Sequence, residues 1–250
     1  MHERRGHDPV VDEAWLAVAA AEAASDEPVE VPDAIERMDA LLRARAVGFR
    51  SRRADVTTAA LRHGPRGLHA DECGAFIRAV DARQLHVDTA GYVTPLCAEP
   101  KRGQQPYALC CRAGDGVTVN LEYLIQLGVV AELATLGWTR GRLRVELGEF
   151  DAACLESDGE LELLMEAKAR VAGQDGLASL VRKWLLLSRA EAVVGGENAA
   201  NKYLELLRIT EKQSEVNVLL VAAGARWWLR ARQDGDHRLT FRTTHALSPS

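Results

Sequence analysis

Apolar and polar residues recur at helical spacing in the first part of the chain. Residues 10–25 are rich in alanine, and residues 32–49 begin with Pro32 and repeat apolar residues three and four positions apart. Such spacing places apolar side chains on one helix face, and proline is favoured at the first helical position. Both segments are predicted as helices, joined by a charged linker that contains proline.

The next segments combine helical and β-type patterns. Residues 70–87 keep the helical spacing and are predicted as a third helix. Residues 91–114 mix β-forming residues with proline and glycine, which indicates a short hairpin or an irregular excursion. The first 118 residues are therefore expected to be mostly helical.

From residue 120 onward the pattern predicts elements in the order α-β-β-α-α-β-β-β. The first of these helices ends before Gly137, a residue type that commonly terminates helices. Residues 142–156 alternate apolar and polar positions and are predicted as one strand, and a Ser-Asp-Gly turn leads to a second strand at residues 160–169. The remaining elements are predicted as helices at 176–194 and 198–210, a buried strand at 216–224 and a closing hairpin at 226–233 and 238–246.

Composition narrows the class of protein. Of the 250 residues, 47% are hydrophobic and 27% are charged, and 20 glycines and 8 prolines are ordinary for a globular protein. No apolar run approaches the roughly 20 residues that a membrane-spanning helix needs. Carboxylates interrupt the apolar N-terminal segment, so no export signal is indicated and a cytoplasmic protein is expected. The five cysteines are odd in number and lack zinc-site spacing, which indicates free thiols.

Charge is distributed unevenly around a net value of −5. Residues 1–42 hold 11 acidic and 3 basic residues, whereas residues 43–118 hold 7 acidic and 12 basic residues. Residues 43–66, the basic stretch, contain seven arginines and a single acidic residue, Asp55; the arginines are Arg43, Arg45, Arg50, Arg52, Arg53, Arg62 and Arg66. Such a stretch can bind a phosphate backbone by releasing counterions. It can equally form a solvated helix face that contacts the acidic head of the chain, and the sequence leaves both interpretations open.

The strongest chemical pattern lies on the predicted hairpin. Because side chains alternate along a strand, Glu166 and Lys168 share one face of the second strand. Asp151, on the first strand, can lie opposite them if the register allows. Two carboxylates so arranged suit Mg²⁺, and a neighbouring lysine can hold a water molecule and offset negative charge at a pentacovalent phosphorus.

An alternative interpretation makes Glu166 and Lys168 a surface ion pair on an edge strand, which would contribute about 0–1 kcal/mol. The surrounding segment LLMEAKA is strongly apolar. Ionised groups in such a run are costly to bury unless a metal or a partner compensates them, so the pattern favours a functional site.

The segment around this hairpin resembles the PD-(D/E)XK nuclease superfamily. GEFD on one strand, a short turn and MEAKAR on the next strand follow a helix that ends in LGW and precede an amphipathic helix. The resemblance covers about residues 119–232. It implies an α/β, restriction-endonuclease-like fold in which a mixed sheet flanked by helices carries an aspartate and a Glu-X-Lys triplet, behind a mostly helical N-terminal region.

The resemblance assigns roles to four residues of the hairpin, namely Asp151, Glu166, Ala167 and Lys168. The two carboxylates and the carbonyl of the alanine would bind the metal, and the lysine would position water. Many members add a carboxylate from the preceding helix. Glu122 is the expected counterpart here, with Gln126 one turn later on the same helix face and Glu132 as a poorer alternative.

The expected activity is Mg²⁺-dependent hydrolysis of phosphodiester bonds, with Mn²⁺ as a substitute, by a DNA endonuclease of restriction, repair or defence. Arg182 and Lys183 would join the basic stretch in binding phosphate. The alternative is a non-catalytic module that binds nucleic acid or assembles with proteins, because fold alone does not establish activity. Whether the nucleic acid is DNA or RNA is left open.

These expectations divide the chain into three regions. Residues 1–30 would form an acidic, alanine-rich helical head, residues 31–118 a mostly helical region with the basic stretch, and residues 119–250 the nuclease-like core. The acidic head is a candidate docking site for a partner protein. A homodimer also fits, because double-strand cutters often pair two active sites, although no coiled-coil pattern supports one.

Overall fold

The computed structural model describes residues 8–25, 32–62, 68, 70–101, 103, 106–191, 193 and 195–245. In these residues the helices are α1 (Glu13–Ser25), α2 (Pro32–Ser51), α3 (Ala70–Asp81), α4 (Leu121–Thr135), α5 (Leu177–Ser188) and α6 (Glu197–Gln213). The strands are β1 (Leu85–Val87), β2 (Tyr92–Pro95), β3 (Tyr107–Ala108), β4 (Cys110–Ala113), β5 (Gly116–Val119), β6 (Leu143–Leu147), β7 (Phe150–Leu155), β8 (Leu161–Ala167), β9 (Glu215–Ala222), β10 (Ala225–Gln233) and β11 (Leu239–Thr243). The fold is mixed α/β, as predicted.

The main sheet has six strands in the order β11-β10-β9-β8-β7-β6. All neighbours are antiparallel except β8 and β9, which run parallel. Parallel strands need a long crossover connection, and α5 and α6 provide it here. The sheet therefore consists of two antiparallel meanders, β6 to β8 and β9 to β11, which are joined through two helices at the parallel pair β8 and β9.

The segment predicted as one long strand at residues 142–156 is in fact two strands. β6 and β7 form a hairpin in which Leu147 pairs with Phe150 across a two-residue turn. Gly148 begins this turn with φ of 59°, a left-handed conformation that glycine adopts without steric cost. The prediction was wrong because it ran the alternating segment that ends at Leu147 into the apolar segment that begins at Phe150, although Gly148 and Glu149 interrupt the pattern. The observed order therefore gains a strand.

The predicted third helix is also too long. α3 ends at Asp81, and Leu85–Val87 instead forms β1, which pairs with β2. Arg83, between them, has φ of 57°, so the chain leaves the helix at this point. The segment predicted as a short hairpin or an excursion contributes β2, β3 and β4, which belong to a three-stranded and a two-stranded sheet.

The main sheet separates two apolar cores. On one face, Met165 of β8 packs in the same cluster as Leu124 of α4 and residues of α2 and α3. On the other face, Leu164 packs with Trp184 of α5 and Leu206 of α6. Successive strand residues point to opposite faces, so a strand buried on both sides is apolar at nearly every position. Charged residues at the end of β8 therefore stand in an otherwise apolar layer.

α1 belongs to the second of these cores. Leu16 is fully buried, and the ring of Trp15 makes an edge-on contact with Trp227, with ring centroids 5.5 Å apart. Just before the helix, the Val11 amide donates a hydrogen bond to the Phe241 carbonyl at 2.9 Å. The alanine-rich helix is thus anchored to the C-terminal part of the chain by packing and by a backbone hydrogen bond.

Among the described residues, no helix combines the length and the apolar character required to cross a bilayer. The five cysteines are free, as the sequence indicates, and three of them are buried. Burial raises the pKa of the Cys73 and Cys110 thiols to about 12. These two cysteines therefore act as small packing groups rather than as nucleophiles.

Candidate active site

The register of β7 and β8 brings Asp151 and Glu166 face to face. Ala152 pairs with Met165, so the residues one step further along each strand, Asp151 and Glu166, are level with each other. Directly opposite residues of an antiparallel pair project on the same side of the sheet. Asp151 Oδ2 also accepts a hydrogen bond from the amide of Ala167 at 2.7 Å. Asp151, Glu166 and Ala167, which were proposed from the sequence, therefore lie together at one end of the β7–β8 hairpin.

Glu166 is fully buried between two ammonium groups. Its Oε1 lies 2.7 Å from Nζ of Lys168, and its Oε2 lies 2.7 Å from Nζ of Lys202. A buried carboxylate needs such partners, because removal from water without compensation would cost several kcal/mol. The pair Glu166–Lys168 is thus part of a buried charge cluster and not a surface ion pair on an edge strand.

Lys202 is a member of the site that the sequence analysis missed. It belongs to α6, is only 5% exposed, and its ammonium also contacts the carbonyl of Glu149 and lies 5.2 Å from the centre of the Phe150 ring. The one local indication in the sequence is its position on the apolar face of α6, between the buried residues Ala199 and Leu206. A lysine at such a position has to find a carboxylate partner, but the partner is 36 residues away and cannot be read from local spacing.

Lys168 lies just beyond the end of β8, where it can reach a second carboxylate. Its amide still bonds to the Val221 carbonyl of β9 at 2.8 Å, and its Nζ lies 3.2 Å from Oε1 of Glu122. Burial lowers the pKa of Lys168, but the carboxylates of Glu166, Glu122 and Asp151 together raise it above its usual value. The side chain is therefore a permanent cation that donates hydrogen bonds and offsets negative charge.

The two predicted residues of α4 have different roles. Glu122, in the first turn of the helix, joins the site through its ion pair with Lys168. Gln126 is buried, and its Nε2 donates a hydrogen bond to the backbone carbonyl of Asp151 at 3.1 Å, so it supports the strand rather than supplying a charge. Glu132, the poorer alternative, pairs with Arg226 at 2.6 Å, away from the cluster.

Glu149 lies in the β6–β7 turn and not on a strand face beside Asp151. Its side chain is exposed, and its backbone carbonyl is the atom that accepts the hydrogen bond from Lys202. The turn thus contributes a backbone oxygen to the cluster instead of a carboxylate.

Asp151 is the least compensated carboxyl group of the cluster. Burial raises the pKa of Asp151 to about 8, and the neighbouring Glu166 carboxylate adds to the effect. The amide of Ala167 and the two ammonium groups lower this pKa only in part. Three carboxyl groups (Asp151, Glu166, Glu122) face two ammonium groups (Lys168, Lys202), so a further cation would stabilise the ionised form of Asp151.

This donor set fits a hard divalent cation. A carboxylate offers about four acceptor positions, and the ammonium groups and the amide occupy only some of those on Asp151 and Glu166. Mg²⁺ is typically bound by one or two carboxylates and keeps several waters, so two carboxylates are sufficient. Within the described ranges there is no group of three or more His, Cys, Asp or Glu side chains that could hold a metal. Water or substrate oxygens would therefore have to complete the coordination.

A cleft of about 300 Å³ opens beside the cluster. Its lining is polar and includes Glu122, Lys168, Gln174, Asp175, Lys183 and Asn198. Lys183 Nζ donates a hydrogen bond to the Gly195 carbonyl at 3.2 Å at the edge of this cleft. Arg182, predicted beside it, instead pairs with Glu13 of α1 at 3.4 Å. Of the two residues proposed from α5 for phosphate binding, only Lys183 lines the cleft.

The arginines of the basic stretch lie in α2 and the segment after it, and several have acidic partners. The ion pairs are Arg43–Asp39, Arg52–Asp88, Arg53–Asp55 and Arg62–Asp115. Asp39 lies in α2 and belongs to the acidic residues 1–42, whereas the other partners lie in later loops. Arg50 is exposed and Arg45 is partly buried, whereas Arg66 lies outside the described residues. Exposed pairs of this kind contribute little to stability and can exchange partners.

Comparisons of the chain with models of protein families, with curated proteins and with solved structures found no match in any of the three. The functional argument therefore depends on the geometry and the charges of the cluster around Glu166.

Proposed function

We propose that the chain is a Mg²⁺-dependent nuclease of the PD-(D/E)XK type that hydrolyses phosphodiester bonds in DNA, with Mn²⁺ as a substitute ion. The observation that carries the proposal is the pair of carboxylates, Asp151 and Glu166, level with each other on adjacent strands with the Lys168 ammonium 2.7 Å from Glu166. The topology supports it as well. A mixed sheet with α4 on one face and α5 and α6 on the other is what the sequence resemblance implies.

The chain's own residues have distinct roles in this proposal. Asp151 and Glu166 would hold the ion, which when bound lowers the pKa of a coordinated water and neutralises charge on the phosphate. Lys168 donates hydrogen bonds that orient the attacking water and stabilise negative charge on the phosphate oxygens. Glu122 holds Lys168 from its other side, at 3.2 Å, and Gln126 keeps the backbone of Asp151 in place.

The cleft beside Lys168 would receive the phosphate backbone. Lys183 adds a second positive charge to its wall. Contacts to phosphate position a nucleic acid without reading its sequence, so this part of the site predicts little base preference. Arg43, Arg45, Arg50, Arg52 and Arg53 remain proposed backbone contacts, and those paired with aspartates would exchange these partners for phosphates.

One observation favours the second candidate, a module that binds nucleic acid or protein without turnover. Both carboxylate oxygens of Glu166 already have an ammonium partner, so much of the buried charge is balanced without a metal ion. In that case the lysines would stabilise the fold and the cleft would only bind.

A cleavage assay separates the two candidates. The purified protein is incubated with supercoiled DNA, linear DNA and RNA in Mg²⁺ or Mn²⁺, beside Asp151→Asn, Lys168→Met and the control Lys212→Met, which alters an exposed lysine in the last turn of α6. We expect cleavage by the parent and the control, and a loss of at least about 100-fold in the two site variants, because each removes a group that acts in the transition state.

Cleavage that persists in both site variants would eliminate the assigned residues. Absence of cleavage by the parent in either metal, together with retention of DNA in a filter-binding assay, would favour the non-catalytic module. Thermal unfolding of each variant provides the control for folding.

A further inference from the structure

Lys202 contacts the other carboxylate oxygen of Glu166 and, unlike Lys168, does not line the cleft. Its ammonium has three partners that are all fixed: Oε2 of Glu166 at 2.7 Å, the backbone carbonyl of Glu149, and the face of the Phe150 ring at 5.2 Å. Two of the three N–H groups thus have an oxygen partner, and the ring adds a cation–π contact. Because two of these partners belong to the β6–β7 hairpin, the charge is held in one position.

Lys168 lies at the same distance from Glu166 but has different surroundings. It lines the cleft, and it has a second carboxylate, Glu122, at 3.2 Å to which it can turn without losing an ionic partner. The Oε1 side of Glu166 can therefore open to an ion that enters from the cleft. The Oε2 side is less open, because Lys202 is only 5% exposed, does not line the cleft and is also bound to the Glu149 carbonyl.

We propose that Lys202 is a positioning residue that acts as a built-in cation in the place of a second divalent ion, so that the site binds one Mg²⁺ and not two. This inference rests on the proposed function. A second ion shared by Asp151 and Glu166 would have to approach Oε2, where it would meet a fixed positive charge at hydrogen-bond distance. Repulsion between like charges is strong in a site removed from water.

The same arrangement explains why a lysine is placed in the apolar face of α6. A methionine or leucine would pack between Ala199 and Leu206 but would leave Glu166 with one ammonium partner instead of two. Lys202 thus fixes the orientation of the Glu166 carboxylate and presents its Oε1 side towards Lys168 and the cleft. An ion bound beside the cleft would then contact only Oε1 of Glu166.

Counting bound ions tests the inference without relying on activity. The full chain is titrated with Mn²⁺, and free Mn²⁺ is measured by electron paramagnetic resonance, which gives the number of ions bound per chain. We expect one ion for the parent, for Lys202→Arg, which keeps the charge, and for the matched control Lys212→Met. We expect two ions for Lys202→Met, because the Oε2 side of Glu166 is then open.

Each outcome is decisive. Two ions bound to the parent would overturn the inference and leave the proposed nuclease function standing, whereas no ion bound to the parent would overturn the proposed function and this inference with it. One ion bound to a folded Lys202→Met would show that Lys202 does not exclude the second. If that variant does not fold, Lys202→Gln replaces it, because glutamine can still donate to the Glu149 carbonyl without the charge, and two ions are again expected.

Discussion

In the proposed function, proton binding and metal binding compete at Asp151. Its pKa is raised from 3.8 to about 8, chiefly by burial and then by Glu166, so the folded chain holds this proton more tightly than the unfolded chain does. In the absence of metal, this group therefore favours folding most below its unfolded pKa, and the contribution is lost as the pH rises from about 4 through about 8. A divalent ion has to displace the same proton, so its binding strengthens over the upper part of that range.

The stabilisation by Mg²⁺ should consequently depend on pH. We expect the increase in melting temperature caused by a fixed Mg²⁺ concentration to be larger at about pH 9 than at about pH 6.5, with the affinity rising roughly tenfold per pH unit below the pKa of Asp151. Thermal unfolding with and without Mg²⁺ measures this, and Asp151→Asn should lose both the stabilisation and its pH dependence. An equal Mg²⁺ effect at the two pH values in the parent would contradict the assignment.

At the scale of secondary-structure elements, the position of the end of β8 could be predicted from the sequence, whereas the start of β7 could not. Strand alternation and the Ser-Asp-Gly turn are local, so Glu166 and Lys168 could be placed on one face from spacing alone. The β6–β7 turn was missed because strand-forming residues stand on both sides of Gly148 and Glu149, and a two-residue interruption was not taken as a turn. Lys202 was missed because its partners meet it only through the crossover from β8 to β9, and no spacing in the sequence encodes that approach.

The turn itself can be tested at Gly148. This residue has φ of 59°, and a Cβ added to it would lie 3.0 Å from Oε1 of Glu205, so Gly148→Ala strains the backbone and crowds a side chain. We expect a loss of about 1–2 kcal/mol in the free energy of unfolding, together with weaker metal binding because Asp151 follows three residues later. Chemical denaturation measures the first effect and Mn²⁺ titration the second.

Gly141 provides the matched control for that substitution. Nothing lies within 4 Å of a Cβ at this position, so Gly141→Ala should change the free energy of unfolding by no more than about 0.5 kcal/mol. Equal stability of the two variants would mean that the left-handed turn at Gly148 is not required for the hairpin.

At the scale of the whole molecule, the N-terminal helix is tied to the sheet that carries the candidate site. The sequence suggested a separate acidic head, but α1 packs its apolar side into the core shared with α5 and β10. Its acidic residue Glu13 pairs with Arg182 of α5, so part of the negative charge of the head is already paired within the chain. Docking of a partner protein remains a proposal, and it would have to use the polar side of α1. Composition could reveal the acidic charge but not which face of the helix is covered.

A single substitution measures how far α1 supports the rest of the fold. Leu16 is fully buried against the second core, whereas Val18, two residues later, is 58% exposed. Leu16→Ala should lower the free energy of unfolding by about 2–5 kcal/mol through lost burial and a residual cavity, and Val18→Ala should change it by no more than about 0.5 kcal/mol. Urea denaturation followed by tryptophan fluorescence reports the change directly, because Trp15 and Trp227 contact each other at this junction. If Leu16→Ala were as stable as Val18→Ala, packing of α1 against the second core would not contribute to the stability of the fold.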